Sequence, residues 1–297
     1  MRTSIMIGEV RGPATAADLR DQAAAATGLD GIWAAQALGW DALTALTMAA
    51  AQAPDLSLGT AVVPIRQRHP LVLASQALSV QAATGGRLTL GVGTGIGAMT
   101  TGMFGLPADH AARYLREYLD ILLPLLRGDP VTHSGEFFTL SGTVHLPTDP
   151  PEVLVAALSP RLLHLAGSRT AGTVTWMAGP RTLESHVVPR VTAAAGSAGR
   201  PAPRIVAALP VCVTNDPGAA RDHVAARFGM AAHVPEYRAV LDREHVPGPQ
   251  DVALIGDERE VTAALGRLAA TGITEFAAAP VGTLAEQHRT TELLRSA

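Results

Sequence analysis

The sequence predicts an α/β protein of the (β/α)8-barrel class, and three observations carry that prediction. Short apolar runs alternate with longer, Ala-rich helical ones almost from end to end, and eight of those runs have strand character. The strands are apolar on both faces and separated by helices, the pattern of a parallel sheet covered by helices. Eight such units in about 250 residues plus insertions match a closed barrel. A doubly wound sheet is the alternative, but its usual six or so strands would leave two runs unassigned. The 297 residues are read as one domain, 1–297.

The first element is "TSIMIGEV" (Thr3 to Val10), a strand, read so in preference to a signal peptide, and a helix from about Thr15 to Thr27 comes after it. "GIWAAQA" leads into the helix "DALTALTMAAAQA", and "LSLGTAVVP" (Leu56 to Pro64) into "PLVLASQALSVQAATGG". Arg87 to Gly95 is the fourth strand. The remaining strands are "EVLVAAL" (Glu152 to Leu158), "TVTWMAG" (Thr173 to Gly179), "RIVAALPVCVT" (Arg204 to Thr214) and "TEFAAAPVG" (Thr274 to Gly282). Gly28, Gly85-Gly86, Gly128, Gly167 and Gly272 stand where helix C-terminal caps belong. Pro70, Pro160 and Pro217 stand at first-turn positions.

One connection breaks the rhythm. Ile96 to Pro151, between strands four and five, holds a helix from about Ala111 to Arg127 and a hairpin, "PVTHSGEFFTLSGTVHL", with Ser134-Gly135 in its turn. A connection this long in a compact domain is usually functional, so it is read as a lid leaving the catalytic face. "AAGSAGRPAP" (Ala194 to Pro203) joins helix six to strand seven on the opposite face.

Composition narrows the chemistry. A formal charge of -3 leaves no basic footprint for nucleic acid. No run approaches the ~18 apolar residues of a membrane helix. All 23 cationic residues are Arg, so no lysine is present for Schiff-base or general-base work. Cys212, the only cysteine, lies in an apolar run and reads as an inert core thiol, in keeping with the reducing cytoplasm. No G-x-S-x-G and no H-E-x-x-H occurs, and His133 and His145 lie too loosely in the hairpin to bind a metal; no metal site is expected.

"RLTLGVGTGIGAMTTG" (Arg87 to Gly102) contains G-x-G-x-x-A, the spacing of a dinucleotide turn. Such a turn should open a helix and be followed about 20 residues later by an acid at the next strand's end. The residues after this motif are instead rich in Gly and Pro without amphipathic period, and the motif sits on the fourth unit, not the first. Glycines after a barrel strand bring backbone close to a ligand and offer N–H groups to an anion. A second anion site is "LSPR", with Ser159 as N-cap, Pro160 at N1 and Arg161 next; Ser159 capping only its own helix is the alternative. Taken together on one rim, the two favour a phosphate.

"LGTAVVPIRQRHPLVLASQALSVQAATGGRLTLGVGTG", "GWDALTAL", "GMFGLP", "REYLDILLPLLRGDPV", "AGTVTWMAGPRTL" and "AALPVCVTNDP" resemble the luciferase-like monooxygenase superfamily, in particular its actinobacterial branch using the deazaflavin coenzyme F420. The resemblance spans nearly the whole chain and implies a luciferase-like barrel. It implies a non-prolyl cis peptide at Ala61-Val62, behind the central ring of the cofactor. It implies phosphate contacts from Gly93, Thr94 and Gly95 and from Ser159, Pro160 and Arg161. Arg66 and Arg68 would suit the coenzyme's acidic tail, with plain solvated surface charge the other reading. His69 reads as a cap of helix three. Members commonly form homodimers, and one is expected here.

Departures from the family matter too. Many relatives carry an Asp-His or Glu-His pair after strand two; here Gln36 and Ala37 occupy that place. The strand-four loop also lacks the Ser-His of closer relatives. Gln36 can hydrogen-bond a ring atom but cannot shuttle protons, which disfavours alcohol oxidation with a base at that position. Trp40 is a candidate pocket wall or a core residue; Glu9 is a candidate proton donor or a surface glutamate. The function these imply is an F420-dependent reductase passing a hydride to an activated C=C or C=N bond of a small, secondary-metabolic substrate. An FMN-dependent monooxygenase and a non-catalytic cofactor-binding barrel are the rivals.

Overall fold

Side-chain alternation decides the architecture. Met6, Trp33, Leu154, Val174, Val206 and Ala277 turn into one interior cluster, while their strand neighbours turn outward into a larger cluster beneath the helices. The structure, a computed structural model, describes residues 1–296. Its first half comprises β1 (Arg2–Ile7), α1 (Ala16–Ala24), β2 (Gly31–Ala34), α2 (Ala42–Ala49), β3 (Ser57–Thr60), β4 (Val63–Pro64), α3 (Pro70–Ala83) and β5 (Leu88–Gly93). Then come α4 (Gly97–Phe104), α5 (Ala111–Leu126), β6 (Val131–Ser134), β7 (Thr139–Gly142), β8 (Glu152–Ala156), α6 (Pro160–Arg169), β9 (Gly172–Trp176), α7 (Pro180–Thr182) and α8 (Val188–Ser197). Last are β10 (Arg204–Val213), α9 (Pro217–Phe228), α10 (Pro235–Glu244), β11 (Leu254–Gly256), α11 (Glu258–Ala270), β12 (Glu275–Pro280) and α12 (Leu284–Ser296). The parallel ring β1-β2-β3-β5-β8-β9-β10-β12 closes on β1, giving the eight-stranded barrel the sequence predicts.

The helix starts agree with their capping residues. Thr15 and Asp18 form a capping box, Asp41 accepts from the Thr44 amide, and His69 accepts from the Leu71 amide as expected. Pro70, Pro160 and Pro217 all occupy the first helical turn. Gly167 departs from expectation: it lies inside α6, where a Cβ would come 2.3 Å from the Val191 carbonyl oxygen, so its role is to let α8 close on α6.

A polar plug closes the N-terminal end of the barrel. Glu275 is wholly buried and accepts from Ser4 Oγ (2.7 Å), Trp33 Nε1 (2.7 Å) and Arg204 Nη2 (3.0 Å). Arg204 also reaches Glu152 at 2.5 Å and Thr89 Oγ1 at 3.0 Å. Burial disfavours the Arg204 charge, but Glu152 and Glu275 outweigh it and raise the pKa above the usual arginine value. The Trp33 indole lies across Gly59, where a Cβ would meet the ring at 2.3 Å.

The third strand is broken. After Thr60 the chain bulges through a cis Ala61–Val62 peptide before β4 rejoins the sheet beside β5. This is the bond that the family resemblance implied. Gly91 and Gly93 of β5 make room for the bulge. A Cβ on Gly91 would sit 1.9 Å from the Thr60 carbonyl oxygen, and one on Gly93 2.8 Å from Val62 Cγ2. Thr60 Oγ1 then seals the junction, accepting from the Gly91 amide and donating to its carbonyl, both at 2.8 Å.

Several boundaries differ from the sequence reading. The glycine stretch after β5 does open a helix, α4, which ends at the left-handed Gly105. The dinucleotide reading still fails, because the motif sits on the fourth strand of a closed barrel. Ser134 pairs with Thr139 in the hairpin, so the reversal runs from Gly135 to Phe138. The hairpin comes after α5, at the end opposite the catalytic face, and its tip climbs the outer wall to Tyr114 and Glu117. Within the predicted lid, α4 follows the fourth barrel strand directly, and the hairpin tip returns to residues 66–69 through Phe138, Tyr114 and Tyr118. A second excursion lies between the seventh and eighth barrel strands: of it the sequence reading has only the Pro217 start of α9, and lacks α10 and β11, which pairs with the end of β10.

The Gly91 contact gives a direct test of this packing. Gly91→Ala is expected to cost about 3 kcal/mol of stability by overpacking backbone against backbone. Gly102→Ala, where nothing lies within 4 Å, should be neutral or stabilising by about 0.5–1 kcal/mol. Urea denaturation of both variants measures the contrast; equal effects would remove the steric account.

Candidate active site

The C-terminal mouth of the barrel is apolar where its floor is polar. Val10, Ala35, Ala61, Val62, Ala156 and Trp176 are half-buried and pack on the interior cluster. Four of them come from the first, second, fifth and sixth barrel strands or the turns just beyond, and Ala61 and Val62 come from the bulge. Gly93 lies between two of these walls, since a Cβ there would touch both Val62 and Ala156, the latter at 3.1 Å. The result is an apolar mouth lined mostly by small side chains. Trp176 is a site residue that the sequence reading misses. Its signal is the period-two alternation with Val174, which turns both inward. Met177, next in the chain, adopts φ +60 and is buried, and Trp176 meets Phe228 of α9 edge-on at 5.4 Å.

The two predicted anion loops are neighbours, because β5 pairs with β8. Thr94 is half-buried, and Gly95, at φ +77, turns the chain toward α4. Ser159, Pro160 and Arg161 are exposed at the start of α6. Ser159 Oγ accepts from the Leu162 amide only at 3.5 Å, a long cap that leaves the first-turn N–H groups weakly satisfied.

Arg66 and Arg68 are not the freely solvated pair that one reading expected. Arg66 is 8% exposed, stacks on the Tyr114 ring at 3.8 Å and donates to the Asp109 carbonyl. Burial lowers its pKa against the opposing influence of Tyr114 and Asp109. Arg68 pairs with the Asp41 carboxylate and donates to Gln36 Oε1 at 3.1 Å. Gln36 Oε1 also accepts from the Ala42 amide at 3.4 Å, so only the amide nitrogen of Gln36 is left to donate. Arg66 Nε, Gln67 Oε1 and Arg68 Nη1 are buried without protein partners, on three consecutive residues just after the bulge. Orphans of this kind mark a place where a ligand or water completes the bonding.

Glu9 and Trp40 lie together, outside the apolar cluster of the mouth. Glu9 falls in the turn after β1, and its Oε1 accepts from the Trp40 amide at 2.5 Å; a Cβ on Gly39 would block that contact. Trp40 donates through Nε1 to the Ala14 carbonyl at 2.8 Å and packs on the outer core. Both line a groove of about 760 Å³ with Asp41, Thr44 and Arg227, and this groove shares no lining residue with the apolar mouth. Cys212 is buried and far from nucleophilic, its thiol pushed up to about 12 by burial and by Glu286.

The hairpin tip is fixed to the rim by Glu117 of α5. Its carboxylate accepts from the amides of Glu136 (3.1 Å), Phe137 (3.0 Å) and Phe138 (2.9 Å) and lies 3.1 Å from His133 Nε2. Phe137 and Phe138 pack on Tyr114, whose ring carries Arg66, and Tyr118 donates to the Arg68 carbonyl at 3.0 Å. The hairpin is therefore a buttress for residues 66–68. Among the described residues no helix is long and apolar enough to cross a membrane.

Comparison with known proteins identifies the family and the fold. Residues 7–286 match the family described as luciferase-like monooxygenase. The chain is 31% identical over 167 residues to the 4-hydroxyprotoasukamycin monooxygenase of Streptomyces nodosus subsp. asukaensis, covering 52% of this chain and 45% of that protein. It is also 31% identical over 170 residues to the F420-dependent glucose-6-phosphate dehydrogenase of Mycolicibacterium fortuitum, covering 54% and 51% of the two chains. The chain thus spans about half the length of these relatives. Among solved structures, an F420-dependent secondary alcohol dehydrogenase in complex with an F420-acetone adduct superposes with a TM-score of 0.82, over 98% of this chain and 97% of that one. At 18% identity, that likeness speaks for the fold.

Glu117 carries a pH-dependent prediction. Burial raises its pKa, but the Phe137 amide, His133 and the Phe138 amide together prevail and hold it below the usual carboxylate value. A depressed folded-state pKa stabilises fully above the unfolded value of about 4.3, and that contribution disappears as pH falls through the folded value. Glu117→Gln is therefore expected to cost about 1–3 kcal/mol near neutral pH. The gap from wild type should shrink steadily below about pH 5. Denaturant titrations across pH 3–7 read the gap, and a constant difference would contradict the assignment.

Proposed function

We propose that this chain, which belongs to the luciferase-like monooxygenase family, is an oxidoreductase that uses coenzyme F420. The carrying observation is the bulged cis Ala61–Val62 backbone at an apolar barrel mouth, where Val10, Ala35, Ala156 and Trp176 offer a surface for a flat ring. The names of a related dehydrogenase and of the superposed alcohol dehydrogenase, both F420-dependent, support the choice of ring system.

The residues present fit such a group. Ala61 and Val62 would support one ring face. Gly93, Thr94 and Gly95 with Ser159, Pro160 and Arg161 would hold the phosphate at adjacent strand ends, where first-turn N–H groups favour an anion. The unpartnered polar atoms of Arg66, Gln67 and Arg68 supply donors and an acceptor near the bulge. When bound and reduced, the deazaflavin supplies a hydride from C5.

The chain's own part is orientation and exclusion of water. Gln36 would act as a hydrogen-bond donor through its amide nitrogen, since its oxygen is engaged by Arg68 and Ala42. With Gln36 and Ala37 after β2, no side chain at that point can take or give a proton, which favours reduction of an activated C=C or C=N bond over alcohol oxidation. Protonation after hydride transfer would come from solvent, from Glu9 or from a residue of the long connection after the fourth strand; Glu9 and Trp40 lie together in the lateral groove.

The monooxygenase among the relatives keeps an FMN-dependent reading in view, and one experiment separates the two. Titration of the apoprotein, followed by absorbance and fluorescence, should show micromolar or tighter binding of oxidised F420 and at least tenfold weaker binding of FMN. The reverse order would replace the proposal with the FMN reading. Turnover of enones or cyclic imines with the reduced coenzyme is the expected activity; binding without any turnover would favour a non-catalytic barrel.

A further inference from the structure

The helix after the sixth barrel strand carries an irregularity that the proposed chemistry has not used. α7 runs into α8 through a π turn at Leu183–Val187. Pro189 explains the irregularity, since it has no N–H to offer the Ser185 carbonyl one turn back. Arg190 repairs the loss: its Nη1 donates to the Ser185 carbonyl at 3.4 Å and to the His186 carbonyl at 3.1 Å. The widened turn places His186 inward, 5% exposed, with Nε2 2.7 Å from the Leu158 carbonyl oxygen. A carbonyl accepts, so Nε2 carries the proton. Burial, with Arg243 and Arg190 nearby, lowers the His186 pKa and keeps the ring neutral at pH 7.

Leu158 immediately precedes the Ser159 turn. The Leu158–Ser159 peptide is trans, so the Ser159 N–H points opposite to the carbonyl that His186 holds. His186 belongs to the helix layer, and its hydrogen bond fixes the plane of the Leu158–Ser159 peptide at the entry to α6. Gly167 supports the arrangement from below, since only a residue without a side chain lets α8 approach α6 this closely.

We infer that His186 is a positioning residue for anion binding: by holding the Leu158 carbonyl it fixes the peptide that aims Ser159 and the first turn of α6 at a phosphate. The inference rests on the phosphate site proposed above and adds to it a residue from a different strand's helix, one that touches neither cofactor nor substrate.

The test compares two ligands on one protein. The F420 ligand used is trimmed of its acidic tail, so that it carries the ring and the phosphate alone; the corresponding deazaflavin riboside carries the same ring without the phosphate. The dissociation constants of both are measured by fluorescence for the wild type and for His186→Leu, His186→Asn and His186→Gln. Wild type should prefer the trimmed F420 by at least tenfold. His186→Leu, and His186→Asn, whose amide is too short to reach, should lose most of that preference while binding the riboside as wild type does. His186→Gln, whose Nε2 can occupy the imidazole donor's place, should keep it. An unchanged preference in either the Leu or the Asn variant overturns the inference, as does equal loss in the Gln variant. Should His186→Leu fail to fold, the Asn and Gln pair still decides. A wild type with no preference would instead remove the phosphate site itself, an outcome distinct from failure of the His186 role.

Discussion

The contact on which the site depends is the approach of the third barrel strand's bulged end to two glycines of the fourth. Thr60 and Val62 press against Gly91 and Gly93 at distances that exclude any side chain, and Thr60 Oγ1 fastens the two strands at that level. A barrel strand of ordinary composition would carry a branched residue there and fill the mouth. Because it does not, the bulge packs directly on the fourth strand, and the mouth beside it is lined mostly by small apolar side chains.

The two ends of the barrel divide the work of stability and chemistry. At the floor, Glu275, Arg204, Trp33 and Ser4 satisfy one another in a hydrogen-bonded network. At the rim, three consecutive residues keep buried polar atoms without protein partners. The rim is nonetheless held firmly. Glu117 fixes the hairpin tip, its aromatic residues brace Tyr114 and Tyr118, and these in turn hold Arg66 and the backbone of Arg68. A site held within a fraction of an ångström by surrounding packing is what positioning catalysis requires.

Much of this is legible in the sequence. The eight strands, the Pro-led helix starts and the long connection after strand four come from apolar period and capping chemistry, and the structure reproduces them. The cis peptide, by contrast, comes only from family resemblance; nothing in "GTAVV" signals it. Most of the excursion between the last two barrel strands escapes the sequence reading because β11 is three residues long, too short for periodicity to register, although Pro217, Pro235 and Pro249 each open a helical segment there. The hairpin's place on the outer wall is also invisible, since it depends on Glu117 meeting three amides far along the chain. Glu9 reads as a strand-end residue, whereas the left-handed Gly8 ends the strand before it and turns its carboxylate toward Trp40.

As proposed, the coenzyme would lie with its ring against the bulged Ala61–Val62 backbone and its phosphate at the start of α6. The crystallographic position of oxidised F420 soaked into the protein tests this most directly. The account predicts the ring against the Ala61–Val62 backbone and the phosphate within hydrogen-bond reach of Ser159. A ring found instead in the lateral groove between Trp40 and Arg227, or a phosphate bound away from α6, would contradict it.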